Sequence, residues 1–292
     1  MTVLGIESSC DECSVALVRD GHTIDSLVIA SQYEAHELYQ GVVPEIASRA
    51  HTEQILPVYH AAMHEAGISG EDIDLIAVTT RPGLTGSLTV GLSFAKGLAL
   101  GLSRPLVSVD HILAHMYAAQ LEQKCEYPYM CLLVSGGHTV IARVDGFDSV
   151  TVLGTTIDDA CGEAFDKIAK HYDLGYPGGV SVDRLARTGN DEAFRLPQPK
   201  LDKGDHPYDV SYSGLKTAAI NQLEKFRVGE IGGDDRADIA ASFERAAIDM
   251  LVDRFVMAAE DQAITRLVVG GGVAANTRLR ERMKALSAYE VH

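Results

Sequence analysis

Tryptophan is absent from this chain, aromatic residues make up only 6% of it, and its 5 cysteines, at positions 10, 13, 125, 131 and 161, form no evenly paired set. That pattern excludes a disulfide-stapled scaffold, which a chain of this size does not need, and predicts a reducing compartment. Cys10 and Cys13 make one Cys-x-x-Cys, but a zinc site requires two further ligands, so the pair is read as incidental. Basic residues are also scarce: 25 Lys and Arg stand against 41 Asp and Glu, a net charge of −16. A broad electrostatic grip on nucleic acid is thereby excluded, and any nucleic-acid substrate has to meet a local basic patch or be held partly by another subunit. Long apolar runs are missing too. The longest, Leu88 to Leu102, is broken by Lys96 and several glycines, and the opening residues MTVLGIE carry no basic region ahead of an apolar one. The expectation is a soluble, cytoplasmic protein without membrane contact. Neither a Gly-x-Ser-x-Gly elbow nor a His-Glu-x-x-His pair occurs, so no protein nucleophile is assigned and a metallopeptidase is disfavoured.

What is present is a large apolar fraction, 46% of 292 residues, enough for two domains. The stretch from Val3 to Gly21 reads as strand, polar turn, strand and Asp-Gly turn. Tyr129 to Gly146 repeats that plan, with Ser135–Thr139 at the tip and the same Asp-Gly ending. The two hairpins begin about 125 residues apart, a spacing that predicts two related α/β domains. The expected boundaries are 1–112 and 113–292. Between the hairpins, periodicity predicts a helix from Pro44 to Ala66, a strand at Asp74–Thr80, a helix opened by Arg81-Pro-Gly and running to Leu100, and a strand at Leu106–Val109. The second half predicts helices at Asp159–Lys170, after Gly214, and from Ile239 to Ala259, then a strand at Arg266–Gly270 and a helix from Ala275.

Two histidine pairs have helical i, i+4 spacing. His60 and His64 lie in a long amphipathic segment and read as part of its solvated face. His111 and His115 instead follow the end of a strand, where open α/β sheets bind ligands, and two imidazoles on one helix face can share a metal ion.

Glycine-rich turns supply a second set of candidates. Gly136 and Gly137 lie where a strand reverses and could serve simply by adopting positive φ; the crowding of Ser135, His138 and Thr139 at the same tip favours a ligand. Gly270–Asn276 lies between a strand and a helix, with Asn276 near the N-cap. At Tyr176–Gly179, the glycines could pack under a ribose whose hydroxyls Asp183 accepts from, or the segment is a plain turn before a helix. Asp158 and Asp159 suit a helix N-terminus or a solvated face, whereas Asp166, flanked by Phe165 and Ile168, is expected to look inward and bind hydroxyl or amine groups.

Seven ordered motifs, GIESSCDE from Gly5, HILAH from His111, LVSGGHT from Leu133, DDACGEAFDK from Asp158, YPGG from Tyr176, SYSGLKT from Ser211 and GGGVAAN from Gly270, closely resemble the tRNA threonylcarbamoyladenosine transferase family over nearly the whole chain. The resemblance implies a duplicated actin-like ATPase, sugar kinase and Hsp70 fold: two facing α/β domains with a central cleft. It implies an acyltransferase that moves threonylcarbamoyl from threonylcarbamoyl-AMP to the exocyclic amine of the adenosine beside the anticodon in ANN-decoding tRNAs. His111 and His115 would be metal ligands, for one divalent ion per chain, Fe2+ ahead of Zn2+ or Mg2+. Leu133, Val134, Ser135, Gly136 and Gly137 would line the substrate, and Asp166, Gly179, Asp183 and Asn276 would hold the adenylate. Expected partners are tRNA, an actin-like paralogue and a small ATPase, with homodimer or heterodimer formation. The sequence departs from the family at Cys13, where Thr is usual, at Val180, where Pro is usual, and at the end, since Tyr289–His292 stops before the Cys-Thr-Asp-Asn segment whose Asp is the third ligand. Two histidines without that carboxylate predict a weak, open metal site. The alternatives are a catalytically impaired or scaffold paralogue of the same fold, an ATPase or sugar kinase, and a metallopeptidase.

Overall fold

A computed structural model describes residues 1–39, 41–122, 125–197, 207–227 and 235–292. The chain divides into two compact units, Met1–Lys124 and Cys125–His292. In chain order the first contains β1 (Thr2–Glu7), β2 (Glu12–Arg19), β3 (Thr23–Ser31), α1 (Tyr33–Glu37), α2 (Pro44–Ala66), β4 (Leu75–Arg81), α3 (Thr85–Leu102), β5 (Leu106–Asp110), α4 (His111–Tyr117) and α5 (Ala119–Glu122). The second contains β6 (Tyr129–Val134), β7 (Thr139–Gly146), β8 (Ser149–Thr155), α6 (Cys161–Tyr172), α7 (Gly178–Ala186), α8 (Ser213–Arg227), α9 (Asp235–Asp261), β9 (Arg266–Gly270), α10 (Thr277–Lys284) and β10 (Glu290–Val291). The boundary expected at 112/113 is thus displaced: α4 and α5 belong to the first unit, because α4 continues directly from β5 and packs back on β4.

The duplication read from the two hairpins extends to the whole sheet. The first sheet has the order β3-β2-β1-β4-β5, and the second, taken from its far edge, β8-β7-β6-β9-β10. In each, the first three strands pair antiparallel and the fourth lies parallel to the first. The hairpins themselves were legible, but β3 and β8 carry no inward apolar alternation that would reveal them. Ile24, Leu27 and Ile29 on β3 are exposed, as is Val152 on β8.

Helix ends follow local chemistry. Pro44 opens α2 at its first turn, where a missing N–H is harmless, and Gly67 closes it in the left-handed region at φ 66°. Each unit has its own core. Leu4, Ile6, Val15, Leu17, Ile76 and Val78 from the first sheet pack with Ile55 and Val58 of α2. In the second unit Phe165 of α6 meets Phe243 of α9 edge to face, with ring centroids 5.1 Å apart, among Met130, Leu132, Ile248 and Phe255. Burial of each such side chain contributes roughly 1.5–3 kcal/mol. Every residue of β6 is buried, as expected for a central strand covered on both faces.

Candidate active-site residues of each unit

In the first unit, the site begins with a helix cap. Asp110 ends β5, and its Oδ1 accepts from the backbone N–H groups of Ile112 (3.0 Å) and Leu113 (3.2 Å), two otherwise orphaned donors of α4. That cap makes His111 the first helical residue and sets His115 one turn further on the same face. Their ring centroids are 4.5 Å apart and the planes 85° apart.

His111 is tied to the central strand of its sheet. Its Nδ1 lies 3.1 Å from Glu7 Oε2 at the carboxyl end of β1 and 3.2 Å from Ser9 Oγ. Thr79 Oγ1 of β4 donates to the same Glu7 oxygen at 2.6 Å, and the Ser9 N–H donates to Oε1. A register shift in β4 between Thr79 and Arg81 accompanies this alignment. Burial by itself would raise the Glu7 carboxyl, but the hydrogen bonds from His111, Ser9 and Thr79 outweigh it and bring the group down to about 2. The Ser8–Asp11 turn is pinned by other elements. Ser8 Oγ donates to Ser87 O, Ser9 O accepts from Leu84 N, Cys10 O lies 2.9 Å from His51 Nε2, and Asp11 O accepts from Gln32 N. His60 and His64 are exposed, as read from the sequence.

The donor chemistry fits part of a metal site. Two imidazoles on one helix face suit Fe2+ or Zn2+ rather than Mg2+, which takes oxygen ligands. Among the described residues no group of three His, Cys, Asp or Glu side chains is placed to hold an ion, so the pair would supply at most two ligands of a set.

In the second unit the glycine turns converge on the carboxyl end of β6. Ser135 and His138 close a tight turn, with Ser135 N donating to His138 O at 2.8 Å. Gly162, in the first turn of α6, donates its N–H to Ser135 O at 3.1 Å, and a Cβ there would stand 2.8 Å from both Ser135 O and Gly136 Cα. Gly271, at φ 94°, presses against β6, where a Cβ would be 2.4 Å from Val134 O. Gly136 and Gly137 do not belong to the glycines with positive φ. That conformational role, raised as one reading of the sequence, falls away; what they supply is open space, since a Cβ on either meets nothing within 4 Å. The Leu133 and Val134 side chains are buried in the core, leaving backbone as what they can present to a ligand. The sequence pointed to the Gly270–Asn276 run but not to the role of Gly162 or to the carbonyl that Gly271 faces, because which carbonyl a glycine meets depends on pairing between distant strands.

The acidic candidates have structural partners. Asp166 Oδ1 accepts from Gly178 N at 2.7 Å, joining α6 to the start of α7, while Gly179 borders open space. Asp158 caps α8 rather than α6, accepting from Tyr212 N at 2.8 Å and from Ser211 Oγ. Asp159 is ion-paired with Lys167 and Lys216. Asp183, buried, pairs with Arg187 and accepts from Thr277 Oγ1 at 3.2 Å and Thr277 N at 3.3 Å.

Asn276 uses both ends of its side chain: Oδ1 caps α10 through Leu279 N (2.9 Å), and Nδ2 donates to buried Glu244 Oε1 (2.7 Å). Glu244 was not anticipated. Burial, with a smaller contribution from neighbouring Asp183, pushes its carboxyl up to about 7 despite the Asn276 bond. A cavity of about 250 Å³ lies beside it, lined by Asp183, Arg187, Gly189, Glu244, Thr277 and Arg278 among others.

The comparisons with known proteins agree with one another. The sequence profile described as "TsaD: tRNA N6-adenosine threonylcarbamoyltransferase" matches residues 23–292. A protein of Treponema denticola named tRNA N6-adenosine threonylcarbamoyltransferase is 54% identical over 97% of this chain and 83% of its own length. One of the same name from Borrelia hermsii is 52% identical over 98% of this chain and 84% of its own length. Among solved structures, HypF of T. kodakarensis superposes with a TM-score of 0.67 at 15% identity, covering 100% of this chain and 44% of that one. At that identity the likeness speaks to the actin-like ATPase fold alone.

Proposed function

Since the chain belongs to the tRNA N6-adenosine threonylcarbamoyltransferase family, we propose that it takes threonylcarbamoyl-AMP as donor and that its second unit holds the adenylate. The exocyclic amine of the tRNA adenosine beside the anticodon attacks the carbamoyl carbonyl carbon. The new C–N bond forms as the C–O bond to the phosphate breaks, AMP leaves, and the amine loses a proton. Such a transfer requires positioning and charge stabilisation rather than a protein nucleophile.

The observation that carries this reading is the glycine-backed cradle at the carboxyl end of β6. There Gly162 and Gly271 allow two further segments to reach Ser135 and Val134, while Gly136 and Gly137 leave room for a ligand against exposed backbone. Asp166 holds the start of α7 so that Gly179 borders the space for a ribose, and Asp183 offers a buried carboxylate to its hydroxyls. Asn276 acts by position: it fixes the Gly270–Gly272 turn through its cap and its bond to Glu244.

His111 and His115 would be two ligands of a divalent ion; their imidazoles suit Fe2+ or Zn2+, and the family resemblance puts Fe2+ first. Such an ion would polarise the carbamoyl or carboxylate oxygens of the donor. An actin-like paralogue and a small ATPase are the partners this reading expects, whether in a heterodimer or with a second copy of the chain. The reading places the protein in the cytoplasm; it is supported by five cysteines, none of which forms a disulfide, and by the lack, among the described residues, of a helix long and apolar enough to cross a membrane.

The test is transfer of labelled threonylcarbamoyl into tRNA by this chain with its partner proteins. Incorporation that Asp183→Ala and His111→Ala each reduce by orders of magnitude is expected. Undiminished incorporation by the Asp183→Ala variant would remove the second-unit reading.

A further inference from the structure

Glu7 stands 104 residues from His111 in sequence and 3.1 Å from its ring in space. Nothing in the reaction as described above uses it. Its two carboxylate oxygens are both occupied by donors of this chain: Oε1 by the Ser9 N–H, and Oε2 by the Thr79 hydroxyl and the His111 ring. Glu7 also does not complete a group of three ligand-type side chains among the described residues. Its oxygens are therefore directed at protein groups rather than toward an ion.

We propose that Glu7 is a positioning residue that fixes the tautomer of His111, holding the proton on Nδ1 so that Nε2 presents its lone pair to a metal. The geometry leaves little choice of direction. A carboxylate already accepting from a backbone N–H and a hydroxyl has only lone pairs to offer the ring, so Nδ1 has to carry the hydrogen. Ser9 Oγ, 3.2 Å from the same nitrogen, is then a second acceptor of that hydrogen. Were Nδ1 unprotonated, its lone pair would face the carboxylate at 3.1 Å. A carboxylate behind a ligating imidazole is a recurrent arrangement, because it orients the ring and makes the bound nitrogen more basic. Here three strands build it: β1 supplies Glu7, β4 supplies Thr79, and β5 with its Asp110 cap delivers His111. The inference rests on the reading of His111 and His115 as metal ligands, and its test separates the two.

Glu7→Gln is the informative substitution. Ser9 N–H is a fixed donor and takes the amide oxygen, so the amide NH2 turns toward Thr79 Oγ1 and His111. Thr79 can accept it by rotating its hydroxyl; His111 can accept only with an unprotonated Nδ1. The variant is thus expected to move the ring proton to Nε2 with hardly any change of shape. The measurements are nitrogen NMR shifts of labelled His111 at mildly alkaline pH in the metal-free full chain, and titration with Co2+ as the probe ion, with thermal unfolding to confirm that each variant folds. The expected result is an Nδ1–H tautomer in the wild type, an Nε2–H tautomer in Glu7→Gln, and Co2+ affinity lower by roughly 10- to 100-fold in the variant. Adding Glu7→Gln to His111→Ala should then lower the affinity no further. An unchanged tautomer overturns the proposal, as does equal Co2+ affinity in the variant. A wild-type chain that takes up no Co2+ overturns the metal reading instead, while the NMR comparison still decides what Glu7 does to the ring.

Discussion

Glu244 shows how much one side chain can carry. In the unfolded chain its carboxyl titrates near 4.5, and in the fold near 7. Between those values the folded state holds more protons than the unfolded one, so folding stability falls as pH rises through this window and stays lower above it. The difference amounts to up to about 3 kcal/mol. Glu244→Gln keeps the oxygen that accepts from Asn276 and cannot ionise. Its melting temperature should therefore exceed that of the wild type by several degrees at mildly alkaline pH and match it near pH 4.5, as calorimetry across the range would show. A wild-type melting temperature that does not fall across this window would contradict the assignment. Gly271 sets the opposite demand. Any side chain there needs φ near 94° and displaces Val134 O, so Gly271→Ala should lower stability by about 1–3 kcal/mol and abolish AMP binding, read by denaturant midpoint and calorimetric titration.

Among the elements, α4 and α10 are the two whose first residues matter most. Asp110→Ala removes the α4 cap and the Arg81 pair. A loss of about 1 kcal/mol is expected, with faster hydrogen exchange confined to the turn that carries His111 and His115. Asn276→Ala removes a cap and also leaves the buried Glu244 without its donor, so the loss should be larger, about 2–3 kcal/mol. The sequence made these helices legible, and α2 runs from Pro44 to Ala66 as its periodicity predicts. The histidine pair was legible for the same reason, since a helix writes its contacts four residues apart. Glu7 and Thr79 were not, because strand order brings them to His111 and no local pattern records which strand lies beside which. Asp166 and Asn276 stood out as polar residues in the right places, but their structural bonds, to Gly178 and Glu244, required α6, α7 and α9 to be assembled first.

At the scale of the whole molecule, charge sets the terms on which tRNA is met. With a net charge of −16, the chain has few cations with which to displace counterions. Its binding to tRNA alone should be weak, and the slope of log affinity against log salt should steepen when partner proteins supply basic surface. Filter binding across a salt series checks this, and tight binding by the chain alone would contradict it.

The repeated strand order also carries a historical implication. In the first unit a glycine after the fourth strand, Gly83, approaches so closely that a Cβ would lie 2.6 Å from Ser9 O, just past the first strand; in the second, Gly271, also after the fourth strand, would bring a Cβ 2.4 Å from Val134 O, at the first strand's last residue. An ancestral half-molecule that already had this contact would pass it to both descendants. From then on each copy could specialise the residues beside it, one toward imidazole and carboxylate, the other toward bare backbone, without renegotiating the joint that both inherited.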